Sequence, residues 1–145
     1  MSERRDIEDA AEQIEELFAD LWQVPRFAAG LRRAFRPNVD CYHTDDPHEL
    51  TVIVELPGVD PDTLKIVVGE RTLALAGDRI RPKVDGRVYQ QVEIEYGAFQ
   101  RQVRLPEDVD PARASAHYDR GLLTITLPAA EKPPPRGSVT IEVTR

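Results

Sequence analysis

The sequence predicts an all-β sandwich or barrel, and three observations carry that expectation. Apolar residues between positions 50 and 127 alternate with period two, in runs spaced about eight to twelve residues apart with turn residues between them. The chain has 12 prolines against 8 glycines, and so many prolines break long helices. No helical stretch separates the alternating runs, which excludes a βαβ layout.

Residues 1–36 read differently, as a helical arm. Ile7, Ala10, Ala11, Ile14, Leu17, Phe18, Leu21 and Trp22 recur every three to four residues, one apolar stripe of an amphipathic helix. Glu3, Asp6, Glu8 and Asp9 stand near its start, where the helix dipole favours acids. Pro25 ends it. A shorter pattern of Phe27, Leu31, Ala34 and Phe35 follows, backed by Arg26, Arg32, Arg33 and Arg36 and stopped by Pro37.

Residues 37–130 carry the strand signals. A surface strand around Cys41 and His43 runs into an Asp45-Asp46-Pro47 turn. Leu50, Val52, Val54 and Leu56 alternate up to Pro57-Gly58, and Leu64, Ile66 and Val68 up to Gly69. Leu73 and Leu75 follow, ending at Gly77. Val88, Val92, Ile94 and Tyr96 mark the next run. Phe99, Val103 and Leu105 alternate up to Pro106; Ala112, Ala114, Ala116 and Tyr118 after Pro111; Leu123, Ile125 and Leu127 up to Pro128. One apolar face per strand is the mark of antiparallel sheets with a wet outer face. Residues 131–145 form an extension: a stiff Pro133-Pro134-Pro135 spacer, then a strand-like Val139-Thr140-Ile141-Glu142-Val143.

Composition narrows the function classes. Net charge is −7, and residues 37–130 hold most of the imbalance, with 10 basic and 16 acidic residues. An acidic surface repels phosphate backbones, and 6% aromatics leave little to stack on bases, so nucleic acid is not an expected partner. No window nears 18 consecutive apolar residues, so no membrane span is expected. The charged start MSERRDIEDA lacks the apolar core of a secretory signal. A single cysteine forms no internal disulfide and suits a reducing cytoplasm.

Catalytic signatures are missing: no GxxxxGK[ST] loop, GxGxxG turn, GxSxG elbow or HExxH helix is found, so neither an enzyme nor a cofactor is expected. Cys41, His43 and His48 are the nearest approach to a metal set, but no fourth ligand stands nearby. Two anomalies say more. Arg101 shares a face with Phe99, Val103 and Leu105, so its guanidinium either snorkels at the rim or pairs with a carboxylate at a subunit interface. Glu93, Glu95, Asp85 and Asp78 are the candidate partners. The second anomaly is the apolar row Val139, Ile141 and Val143. A lone strand satisfies neither its backbone nor its side chains, so it docks on an existing sheet, either its own or a neighbouring subunit's.

These residues resemble the small heat-shock proteins, the α-crystallin domain family, in its bacterial and plant form. The motifs are Pro37-x-Val39-Asp40, Leu56-Pro57-Gly58-Val59, Tyr96-Gly97-x-Phe99-x-Arg101 before Leu105-Pro106, Ala116-x-Tyr118-x-x-Gly121-Leu122-Leu123-x-Ile125-x-Leu127-Pro128, and Ile141-Glu142-Val143. Together they cover about residues 34 to 143. The resemblance implies an immunoglobulin-like antiparallel sandwich and an ATP-independent holdase that binds non-native clients and self-assembles from dimers. It implies a dimer in which residues 80–96 carry an exchanged strand, with Arg101, Glu93 and Tyr89 at the interface. It places Ile141 and Val143 as anchors between subunits, in a groove walled by Leu64, Ile66 and Val68 on one side and Ala114 and Ala116 on the other. Clients would meet that groove and the arm residues Phe18, Leu21, Trp22, Phe27, Leu31 and Phe35. The alternative is a β-sandwich co-chaperone or adaptor for one defined partner.

Overall fold

The computed structural model describes residues 35–69, 71–131 and 137–145. Nine strands follow in chain order: β1 (Val39–Asp45), β2 (His48–Glu55), β3 (Lys65–Gly69), β4 (Thr72–Arg79), β5 (Gly97–Arg104), β6 (Ser115–Asp119), β7 (Leu122–Pro128), β8 (Val139–Ile141) and β9 (Val143–Thr144). They form two sheets, ordered β1-β2-β7-β6-β9 and β5-β4-β3-β8. All pairings between these strands are antiparallel except β9 on β6.

Period-two alternation decides what each sheet buries. Leu50, Val52 and Val54 of β2, Leu123, Ile125 and Leu127 of β7, Ile66 and Val68 of β3 and Leu73 and Leu75 of β4 meet between the sheets, each at most 1% exposed. Complete burial of one such side chain stabilises by about 1.5–3 kcal/mol. Tyr118 closes one end of this slab by donating its hydroxyl to the Leu56 carbonyl at 2.8 Å.

The strands β3 and β6 are launched by the same device. Asp60 and Asp110 each cap a three-residue 3-10 turn, Pro61–Thr63 and Pro111–Arg113, and accept from the backbone N–H two residues on, at 3.0 and 3.1 Å. This corrects the run expected from Ala112. Pro111 fixes its own φ, the turn consumes residues 111–113, and the strand starts only at Ser115.

Two further expectations need correcting. Gly77 does not end its strand; β4 continues to Arg79. A Cβ at position 77 would stand 2.5 Å from the Phe99 ring and 3.0 Å from Leu64, so the glycine makes room for a cross-strand neighbour. The run Val88, Val92, Ile94 and Tyr96 forms no strand. Within the single chain residues 80–96 are an irregular loop in which Val88, Val92 and Ile94 are exposed, and among the described residues no strand lies beside them; this is the loop expected to lend its strand to a second copy.

Phe35 belongs to the sandwich, not to an exposed arm. It is 8% exposed, bridges Phe99 and packs edge-on against that ring at a centroid distance of 5.4 Å. It is therefore not available as client-facing surface in this structure. The helical reading of residues 1–34, with Phe18, Leu21, Trp22, Phe27 and Leu31, lies outside the described residues.

Candidate functional site: the tail groove and the loop face

The groove forms where the two sheets gape between β3 and β6. β8 adds to β3 with Ile141 opposite Ile66 and Val139 opposite Val68. The chain then crosses to the other sheet, and β9 adds to β6 with Val143 opposite Ala116. The last segment thus bridges both sheets. Ile141 is 6% exposed and Val143 half-buried against the core, while Val139 stays 40% exposed, so two of the three apolar residues act as anchors. Leu64, Ile66 and Val68 wall one side and are buried. On the other side Ala116 is buried opposite Val143, and Ala114 packs against the same core. The five groove residues expected from sequence are brought together.

In the single chain the tail occupies its own groove, one of the two seats the sequence left open. Its end is held by polar contacts the sequence reading missed. Thr144 donates its hydroxyl to the Ala116 carbonyl at 3.1 Å, and His117 Nδ1 lies 3.3 Å from that hydroxyl. Arg145 reaches Asp62 at 2.8 Å and Asp60 at 3.3 Å. A cation at the end of an apolar row, with an Asp-x-Asp turn upstream of the groove strand, was the signal available.

The second region surrounds the loop. Arg81 donates to the Tyr89 hydroxyl at 2.8 Å and stacks over the Tyr96 ring at 4.4 Å, while Arg87 stacks over Tyr89 at 4.6 Å. Glu93 lines an open depression of about 470 Å³ with Arg81, Tyr89 and Tyr96. Arg79 anchors the loop's end. It donates from Nε to the Glu95 carbonyl at 2.8 Å and from Nη1 to the Pro57 carbonyl at 3.2 Å, and lies 3.8 Å over the Phe35 ring. Sequence reasoning missed Arg79 because it took Gly77 as a strand end. The alternation Leu73, Leu75, Gly77, Arg79 places it on the core-facing side.

Arg101 lies opposite Leu75 on β5, with its Nε buried and without a hydrogen-bond partner. Burial holds its pKa below the usual arginine value, and the positive charge of Arg36 adds to this. Among the described residues no ion pair joins it to Glu93, Glu95, Asp85 or Asp78. His48 of the sequence's possible metal set instead meets Glu107 at 2.9 Å, and His43 stands 3.6 Å from Asp45. Among the described residues no three of His, Cys, Asp and Glu converge as ligands. Cys41 is free on the exposed strand β1, and such burial as its thiol has raises its pKa, which disfavours the reactive thiolate.

Comparison with known proteins agrees with this geometry. The Hsp20/alpha crystallin family profile matches residues 42–144. The "16.9 kDa class I heat shock protein 1" of Triticum aestivum is 35% identical over 128 residues, covering 79% of this chain and 83% of that protein. The "Alpha-crystallin" of Mycobacterium tuberculosis is 38% identical over 95 residues, covering 64% of this chain and 63% of that protein. Among solved structures, "Heat shock protein 16.0 from Schizosaccharomyces pombe" superposes with a TM-score of 0.62 at 27% identity, covering 83% of this chain and 86% of that one.

Proposed function

Because the chain belongs to the Hsp20/alpha crystallin family of small heat-shock proteins, whose members are chaperones rather than enzymes, we propose that it is an ATP-independent holdase. It captures partly unfolded proteins through apolar surface and keeps them soluble for later refolding. The observation that carries this reading is the groove between β3 and β6, apolar along its walls and filled by the short edge strands β8 and β9 of the last segment, which adds one strand to each sheet. A client exposing an apolar extended segment presents the same chemistry as Val139–Val143: backbone groups for a sheet edge and alternate side chains for pockets. Masking such surface until it is needed limits self-aggregation.

The assembly that stores this surface is a dimer built into a larger homo-oligomer. The free edge of β1 offers unpaired backbone groups, and the loop 80–96 offers exposed Val88, Val92 and Ile94. Pairing the loop of one copy with β1 of another satisfies both, and a carboxylate of the second copy is the partner proposed for the bare Nε of Arg101. Exchange of residues 137–145 between copies extends dimers into larger species. No helix among the described residues is long and apolar enough to cross a membrane, and a cytoplasmic site of action suits the single free cysteine.

The test is light scattering from a heat-labile protein warmed with and without the purified chain, in nucleotide-free buffer. Suppression without ATP supports the proposal. Suppression only with ATP, or a fixed complex with one partner and no effect on others, refutes it.

A further inference from the structure

The groove carries a charge code in addition to its two apolar anchors. Strand pairing fixes the register: Ile141 faces Ile66, Val143 faces Ala116, and the Thr144 hydroxyl is tied to the Ala116 carbonyl at 3.1 Å. Position 145 is thereby delivered onto the Pro61–Thr63 turn, where its guanidinium meets Asp62 at 2.8 Å and Asp60 at 3.3 Å. The receptor is set in advance, because Asp60 Oδ1 already accepts from the Asp62 N–H at 3.0 Å.

The matching turn at Pro111–Arg113 serves as an internal comparison. It is built on the same Asp-Pro cap but has Ala112 where the first turn has Asp62. The turn therefore does not need the second acid, and the turn that has it is the one facing the tail's cation. Net charge points the same way: residues 37–130 carry 10 basic and 16 acidic residues, and residues 131–145 carry 3 basic and 2 acidic.

Resting on the latch reading above, we infer that Asp60 and Asp62 are specificity-determining residues of the groove. They select an occupant that places a cation two residues after its second apolar anchor. That occupant is the 137–145 segment of this chain, its own or one exchanged from a second copy. A segment with an acid at that position is disfavoured, so copies pair with their own kind ahead of chains whose tails end differently.

The experiment uses the full chain carrying Ile141→Asp, which empties the groove, with circular dichroism compared against the unaltered protein. The probe is a fluorescein-labelled, C-terminally amidated peptide of residues 137–145, beside the same peptide with Arg145→Glu. The unaltered peptide is expected to bind about three- to tenfold more tightly, with the gap shrinking at about 0.5 M salt. Adding Asp62→Lys to the protein should invert the preference. Equal binding of both peptides overturns the charge code and leaves the latch standing. Binding of neither peptide removes the latch and the code together. Should Ile141→Asp fail to fold, hydrogen exchange on the chain with its natural tail decides. Asp62→Lys is expected to speed exchange across Val139–Thr144 at least about threefold, and unchanged exchange overturns the proposal.

Discussion

Arg79 and Arg101 stand on the same face of neighbouring strands, and only one of them is fully provided for. Arg79 has two backbone carbonyls as acceptors and an aromatic ring beneath it. Arg79→Ala removes donors from the Pro57 and Glu95 carbonyls and uncovers Phe35. It should cost about 2–4 kcal/mol in urea unfolding, with Arg79→Lys recovering only part, because an ammonium lacks the planar fork. Arg101 behaves oppositely. Its Nε is buried without an acceptor and Arg36 repels it, so within one chain it is a burden. Arg101→Met should leave the unfolding free energy of the isolated chain unchanged or slightly higher. In the assembled protein it should weaken the dimer, read as a raised dissociation constant by analytical ultracentrifugation. A dimer of unchanged affinity would remove Arg101 from the interface. The anomaly at Arg101 was legible because Phe99, Val103 and Leu105 surround it in sequence. Arg79 was hidden behind Gly77, whose role depends on a partner 22 residues away.

Gly77 shows why strand ends are harder to read than strand faces. A glycine in an alternating run reads as a stop, yet here it is the space into which Phe99 fits. Gly77→Ala should destabilise by about 1–3 kcal/mol through overpacking, seen as a lowered urea midpoint with the slope unchanged. The faces of β2, β3, β4 and β7 followed from alternation alone, because burial on one side imposes period two. The loop 80–96 shows the converse. Its apolar residues have a strand pattern, but a strand needs a neighbour, and among the described residues none lies alongside. The groove residues were legible because small Ala114 and Ala116 and branched Leu64, Ile66 and Val68 alternate in their runs. That the tail seats on its own chain was not legible, since sequence fixes a segment's partner surface but not which copy supplies it. Replacing Ile141 and Val143 together with Asp should convert large oligomers to dimers in light scattering and leave the sandwich's circular dichroism intact. Each buried branched side chain is worth about 1.5–3 kcal/mol, enough for a latch that opens. If the mass is unchanged, assembly runs through residues 1–36 instead.

On the proposed holdase role, the net charge of −7 is expected to keep client-loaded assemblies soluble. Removing the latch anchors should raise the initial rate of client capture, measured in the nucleotide-free scattering assay, because the groove then needs no opening. The tail's seat on its own chain has a further consequence for how the protein counts its own copies. If a tail exchanged between copies keeps the contacts seen within one chain, it pairs Ile66 with Ile141, Ala116 with Val143, and Arg145 with its two aspartates. The two arrangements therefore differ little in contact energy and mainly in how crowded the solution is. A tethered segment competes at an effective concentration that reaches millimolar for short flexible links and falls as the link stiffens, here with Pro133, Pro134 and Pro135 in it. On the proposed latch, chains below that level are expected to close on themselves and above it to hold one another, which light scattering across a dilution series would read. Under that proposal the groove and its tail would gauge the protein's own abundance, with the threshold set by the link rather than by the strength of the lock.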